Sequence, residues 1–591
     1  MFEPTLPKKS QHEVRDYITS CNYLFGNTFP LASFLWPTRN SGFQRNVLIL
    51  ILLVVGLFRW AAGLWGYSGF HNPPKFGDYE AQRHWMEITT QLPISQWYFH
   101  DLEWWGLDYP PLTAYHSWVL GKLGSQINPE WFALYNSRGT HDPNLKIFMR
   151  ATVIISEYLI YIPAIILFVQ SMTKIHKTYA WNKNIALTAI LLQPGIILID
   201  HVHFQYNTVM LGLVVACVSC LLERRLMWSC FFFVLALGFK QMALFYAPAI
   251  FAYLLGCCIF PKINFGRFFS ILVTTLASFT ILLLPFTLGA LYNAHRGIDI
   301  QPKIPGKVAP LPIFKEYSHL INSHAWYSPV ILQFAQLLHR IFPFARGLFE
   351  DKVANIWCAL NVVVKLKRYP PTILQRLSFL ATLAAIMPPC LMIFFKPRKT
   401  ALPLAFATTA WAFYLFGFQV HEKSVLLPLM PMTLLLATNR GLSEHVRAWV
   451  GFANLLGVWT MFPLLQRVHL QIPYFILSLL WAYLLGLPPT SFALYFGRDS
   501  QSSVGLPTSV THILCYILMG LWHVAEAFII PPVSKPDLWA VINVGIGAMG
   551  FSLCYTWCLC CLIEICTGLV NPFRFRKINR TGTGSDKLKN S

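Results

Sequence analysis

Long apolar runs alternate with short polar ones along most of the chain. The first, NVLILILLVVGLFRWAAGLWG at residues 46 to 66, has about the 20 residues a helix needs to cross ~30 Å of hydrocarbon. A helix satisfies its own backbone groups where no water can, so runs of this length predict transmembrane helices. Further spans are predicted near 148 to 170, 185 to 199, 207 to 222, 227 to 240, 241 to 260, 268 to 288, 353 to 367, 401 to 418, 424 to 438, 446 to 464, 472 to 490, 510 to 530 and 538 to 566. That makes about 14 crossings at helix length. One run resists the pattern. Residues 377 to 395 are interrupted by Pro388 and Pro389 and have basic residues on both flanks, so they read as a broken, re-entrant element.

Composition supports this reading. Of 591 residues, 55% are hydrophobic and 12% charged, which describes an all-α polytopic membrane protein and leaves no room for a separate soluble enzyme domain. The first 45 residues hold no signal-peptide core, so the first span reads as an uncleaved anchor. The 14 cysteines lie mostly inside apolar runs and are expected to act as small packing residues.

A net charge of +21 invites a nucleic-acid reading. No zinc-finger, RNA-binding or glycine-rich phosphate motif accompanies it, and the basic residues fall between spans, where they set orientation. Lys8, Lys9, Arg15, Arg39 and Arg45 precede the first span, whereas residues 67 to 111 hold six carboxylates against Lys75 and Arg83. The chain therefore divides into a cytosolic segment 1–45, a membrane domain 46–566 with lumenal loops about 67–147 and 291–352, and a basic cytosolic tail 567–591. The last five residues, KLKNS, fit the dilysine pattern of retrieval to the endoplasmic reticulum.

Because charge is scarce, its lumenal clusters stand out: Asp78, Glu80 and Arg83 in FGDYEAQRHW, Asp108 in WGLDYPP, Glu350 and Asp351 in ARGLFEDK, and His421, Glu422 and Lys423 in QVHEKS. Each has a plain structural reading. Asp108 caps a turn, Glu350 and Asp351 meet the positive end of a following helix, and the last cluster pairs within itself. Their convergence on one membrane face favours function. Trp85, Trp97, Tyr98, Trp104, Trp105 and Tyr109 read either as an interfacial belt or as a platform for stacking sugar rings. A transporter would instead place its charges near the midplane and repeat its halves.

These stretches resemble the dolichyl-phosphate-glucose-dependent glucosyltransferases of the endoplasmic reticulum, members of the GT-C fold superfamily. The matching segments are GDYEAQRHWMEIT at 77 to 89, WGLDYPPLTAYHS at 105 to 117, DHVHFQYN at 200 to 207, GFKQMALFYAP at 238 to 248, FPFARGLFEDKVANIWC at 342 to 358 and FQVHEKSVLL at 418 to 427. Between two close paralogues, AQRHWMEIT resembles the one that adds the first glucose to a nine-mannose lipid-linked oligosaccharide; the second-glucose paralogue and a mannosyl-adding relative stand as alternatives.

The resemblance implies transfer of glucose from dolichyl phosphate glucose to the 3-hydroxyl of a terminal mannose on a dolichyl-pyrophosphate-linked acceptor, with inversion from β to α. Asp78 is the expected base. His421 resembles the family's phosphate-contacting histidine, and Lys423, Arg346 and Lys240 are further candidates to meet the leaving phosphate; Lys240 reads equally as a helix-end lysine reaching for water. Asp108, Glu350 and Asp351 match acidic family positions that hold sugar hydroxyls or position a loop, and Glu80 with Arg83 is expected to organise the loop or the sugar site. The donor carries a monophosphate and not a nucleoside diphosphate, so no metal is expected.

Overall fold

The computed structural model describes residues 29–39, 44–297, 326–342, 352–439, 441–496, 504–569 and 571–573, and among them all regular structure is helical. Among the described residues, nine helices are long and apolar enough to cross a membrane, beginning with the one that contains Asn46–Gly63. Three shorter apolar helices accompany them: Asn207–Leu222, Leu226–Phe239 and Gln471–Leu485. Asn207–Leu222 is nearly enclosed by protein, so its short length leaves little backbone to lipid.

The elements that position the site are α1 (Gln44–Gly63), α2 (Gly77–Gln91), α3 (Pro111–Ile127), α4 (Pro143–Ser156), α5 (Asn207–Leu222), α6 (Leu226–Phe239), α7 (Phe265–His295), α8 (Ser328–Ile341), α9 (Ile356–Val364), α10 (Pro371–Phe395), α11 (Leu402–Phe416) and α12 (Leu538–Thr567). The segment after α1 is a folded unit and not an open loop. Helix α2 packs on α3, and Trp85, Trp97 and Tyr98 are buried with Leu107, Ala114, Phe286, Leu337 and Ile341 in one apolar cluster. Those three rings are therefore neither a lipid-facing belt nor an open sugar platform. Burial with Phe286 of α7 and with Leu337 and Ile341 of α8 ties this unit to the bundle.

Two segments fold otherwise than their sequence predicts. The predicted span at 353 to 367 holds the nine-residue helix α9 and the start of a 3-10 turn at Leu366–Arg368; α9 is about 14 Å long and too short for ~30 Å of hydrocarbon. The run at 377 to 395 is part of α10, one unbroken 25-residue helix. Pro389 cannot donate to the carbonyl of Ala385, and the Tyr555 hydroxyl of α12 donates there instead at 2.8 Å. A partner from another helix thus supplies a bond the proline removes, and the helix continues.

Contacts fix which end of α10 is which. The Trp357 indole and the Ser378 hydroxyl both donate to the carbonyl of Phe416, at 2.8 and 2.6 Å, which places the start of α10 at the C-terminal end of α11. Arg398 donates to the carbonyl of Ile565 at 2.5 Å, placing the finish of α10 near the far end of α12. The two basic flanks of α10 therefore lie at opposite ends of the bundle, and the contradiction that suggested a re-entrant element disappears.

Candidate active site

The site forms where α2 begins. Phe76 and Gly77 have φ of 55° and 62°, a left-handed conformation that glycine adopts without steric cost. A Cβ on Gly77 would stand 2.7 Å from the carbonyl carbon and oxygen of Ser68, so two backbone segments touch at this point. The Asp78 amide then donates to Ser68 Oγ at 3.3 Å, and the carboxylate emerges in the first helical turn. Replacing Gly77 with Ala is expected to lower turnover at least tenfold and destabilise the fold by about 1–3 kcal/mol, read as activity per folded molecule and as a fall in Tm.

Among the described residues, every side-chain partner of Asp78 meets the same oxygen, Oδ2. Lys423 Nζ pairs with Oδ2, Gln205 Nε2 donates to Oδ2 at 2.7 Å, and His203 Nδ1 stands 3.6 Å from it. Among the described residues, Oδ1 accepts no hydrogen bond. The side chain keeps 25% of its surface exposed, so one oxygen is held while the other is available. Burial works to raise the Asp78 carboxyl, but the Lys423 ammonium, the His203 ring and the Gln205 donor overcome it and hold Asp78 well below the usual carboxylate range.

His421 and Lys423 come from the turn after α11. His421 Nδ1 accepts from the Lys423 amide at 3.2 Å, and the His421 amide donates to Ser424 Oγ at 3.3 Å. Burial and then the Lys423 charge press the imidazole down to about 3, so it is neutral near pH 7. With Nδ1 accepting, the ring proton sits on Nε2, which makes His421 a hydrogen-bond donor on that side.

Lys240 follows the last residue of α6 and is 5% exposed. Its Nζ donates to Asn207 Oδ1 at 2.6 Å and Gln205 Oε1 at 3.1 Å, and lies 4.7 Å from the centre of the Tyr109 ring. The Asp108 carboxylate is near enough to act on its charge.

Glu80 and Arg83 face the other way. The Arg83 guanidinium bonds Glu80 at 2.8 and 2.6 Å, Glu87 at 2.7 Å, Ser137 Oγ at 2.6 Å and the Trp131 carbonyl at 3.2 Å. The three charged side chains are between 0% and 2% exposed. Of the two expected roles, this is the loop-organising one: the cluster ties α2 to the 131–137 turn. His84 and Trp85 are buried as well, so they do not rest on the membrane surface.

The structure brings Asp78, His421, Lys423 and Lys240 together, with Asp108 in electrostatic reach. Arg346, Glu350 and Asp351 lie outside the described residues. The DHVHFQYN segment, which carries no assigned role on the sequence alone, supplies His203, Gln205 and Asn207. A brace beneath the site was equally unforeseen. Arg59 Nε and Nη2 reach the two oxygens of Glu157 at 2.7 Å each, His201 Nε2 lies 2.5 Å from Glu157 Oε2, and Arg150 of α4 donates to the carbonyls of Gly66, His201 and Val202. Arg59 and Glu157 are charges inside predicted spans, a signal that was present in the sequence because such charges are rarely tolerated without a partner.

Comparison with known proteins follows the same outline. A model of the ALG6, ALG8 glycosyltransferase family matches residues 47–297 and 317–559. A Schizosaccharomyces pombe protein named "Probable dolichyl pyrophosphate Man9GlcNAc2 alpha-1,3-glucosyltransferase" is 40% identical over 94% of this chain and 99% of its own length. Proteins bearing that name without "Probable" are 40% identical in Saccharomyces cerevisiae, over 89% of this chain and 93% of the relative, and 37% identical in Gallus gallus, over 86% and 94%.

Proposed function

The chain belongs to the ALG6, ALG8 glycosyltransferase family, and from that premise we propose that it adds the first, α-1,3-linked glucose to Man9GlcNAc2 carried on dolichyl pyrophosphate. The activity is the one its relatives' names state. The donor we assign is dolichyl phosphate glucose. The observation that carries the chemistry is a carboxylate with one oxygen fixed by Lys423 and Gln205 and the other available.

In this reaction the acceptor 3-hydroxyl attacks the anomeric carbon of glucose. A new carbon–oxygen bond forms on one face as the bond to phosphate breaks on the other, which inverts β to α. The hydroxyl proton passes to Asp78 Oδ1, and the bond pair leaves with dolichyl phosphate. A phosphate is a far better leaving group than a sugar alkoxide, so a second carboxylic acid is not needed. Negative charge grows on the departing oxygen, and the Nε2–H of His421 and the ammonium of Lys423 are suited to stabilise it. Arg346 is assigned the same role. Asp108, Glu350 and Asp351 are assigned to sugar hydroxyls or to loop positioning, and no metal enters the step.

The reading includes a GT-C fold in the endoplasmic reticulum membrane, a lumenal site and cytosolic termini. With the shorter apolar helices, α11 and Leu426–Leu434 with its 3-10 continuation counted as crossings, there are about 14. A site at the membrane edge lets both polyprenyl tails stay in hydrocarbon while the sugars meet outside it. The test is transfer by the purified enzyme from dolichyl phosphate glucose to two defined acceptors. Product is expected from the nine-mannose acceptor, with at least 100-fold less from the already glucosylated one. Product from only the glucosylated acceptor would assign the second-glucose reaction instead.

A further inference from the structure

The charge of Lys240 suggests a phosphate contact, but its hydrogen-bonding geometry points elsewhere. An ammonium has three N–H groups. Two directions are taken by Asn207 Oδ1 and Gln205 Oε1, and the charge also lies over the face of Tyr109, in a side chain that is 5% exposed. We propose that Lys240 and Gln205 are positioning residues acting in series on Asp78: Lys240 holds the Gln205 amide in one orientation, and Gln205 holds the carboxylate with Oδ1 towards the acceptor hydroxyl. The inference rests on the reading of Asp78 as the base.

An amide can be turned end for end at little steric cost, so its orientation must be imposed by its neighbours. Gln205 Oε1 faces two donors, Lys240 Nζ at 3.1 Å and Asn207 Nδ2 at 3.2 Å. Reversing the amide would set its NH2 against both of them and its oxygen against the Asp78 carboxylate. Asn207 is oriented by the same logic. Its Oδ1 accepts from Lys240, and its Nδ2 donates to Asp200 Oδ1 at 2.8 Å. Asp200 is in turn held through Oδ2, which accepts from the Thr208 amide at 2.6 Å. Orientation therefore passes from Asp200 through Asn207 and Lys240 to Gln205, which presents Nε2 to Asp78 Oδ2 at 2.7 Å. Two short segments, DHVHFQYN at 200 to 207 and GFKQ at 238 to 241, supply every member before Asp78.

The charge on Lys240 is also sensitive to pH. Burial and then the nearby Lys423 charge lower its pKa to about 8, against the opposing carboxylates of Asp200, Asp78 and Asp108. Loss of that proton above pH 8 leaves a neutral amine, a weaker donor towards Gln205 than the ammonium.

The test uses the full chain in detergent, with dolichyl phosphate glucose and the nine-mannose lipid acceptor, and with folding of each variant checked by Tm. Q205L and K240M are expected to lower kcat by about 10- to 100-fold while donor KM stays within about twofold. The double variant should be no slower than the slower single one, because the two residues act in one chain. Wild-type kcat should fall above about pH 8, whereas K240R, whose charge persists, should retain most activity and stay flat to pH 9. A donor KM raised tenfold or more in K240M with kcat preserved would overturn the proposal and make Lys240 a phosphate contact. Losses that multiply in the double variant, or a K240R no better than K240M, would also overturn it. Q205L carries the test if K240M does not fold. D78N is measured alongside, because near-normal turnover there removes the base reading itself and separates the two failures.

Discussion

Asp78→Asn is expected to lower turnover by about 10²- to 10⁴-fold, the usual contribution of a positioned general base, while the protein folds and still binds dolichyl phosphate glucose. Asparagine keeps the shape of the side chain and the place of the Gln205 contact but accepts no proton near neutral pH. It also releases Lys423 from its ion pair, so donor affinity should hold or rise. That divergence separates loss of the base from loss of the site. Initial rates of glucose transfer, with donor binding measured on the same preparation, give the answer; turnover within tenfold of wild type would exclude Asp78 as the base. Wild type should also keep its base ionised through the neutral and mildly acidic range, because the carboxyl is held far below its ordinary value. Any acidic decline in rate near pH 5 to 6 then belongs to another group.

Arg83→Met should have the largest effect on stability. The substitution leaves Glu80 and Glu87 buried without their cation, and an uncompensated buried charge costs about 3–5 kcal/mol. The consequence depends on pH with a definite sign. In the wild type, burial would raise Glu87, but His84 and Arg83 hold it down to about 2, so its contribution is present above the ordinary carboxylate range and is lost only as pH falls towards 2. In the variant Glu87 loses the Arg83 charge that opposes its burial and is raised, and a neutral carboxylic acid is tolerated where a carboxylate is not. The gap in Tm between wild type and R83M should therefore narrow as pH is lowered from 7 to 5. Adding E80Q and E87Q should recover part of the loss at neutral pH. A Tm within 2 °C of wild type at pH 7 would refute the bracing role.

Much of the architecture was legible because hydropathy is a local sum. A window such as 538 to 566 is apolar whatever surrounds it, and the structure has one helix there, Leu538–Thr567. Where the prediction failed, the deciding interaction was distant. Helix α10 runs through Pro388 and Pro389 with help from a tyrosine 170 residues away, and no window around the prolines contains that information. The basic turn after α9 misled for a related reason: charge bias describes a tendency of loops, whereas nine residues cannot span the bilayer at all.

The candidate site divides in the same way. Scarcity of charge and family resemblance picked out Asp78, His421, Lys423 and Lys240, and the fold gathers them. Neither could distinguish Glu80 and Arg83 as a buried brace from Glu80 and Arg83 as sugar ligands, since both readings need the same residues at the same spacing. Nor could they show that Gln205, 127 positions from Asp78, and Lys423, 345 positions away, meet on the same carboxylate oxygen.

By itself, then, the sequence determined that this chain builds many helices long and apolar enough to cross a membrane, and which polar residues are too costly to be there without a task. Only the tertiary structure decided which helix is continuous, which charges face inward, and which oxygen of Asp78 is left available. Transfer out of water is priced residue by residue along the chain, but hydrogen-bond geometry is set to tenths of an ångström by segments that meet only once the bundle has packed.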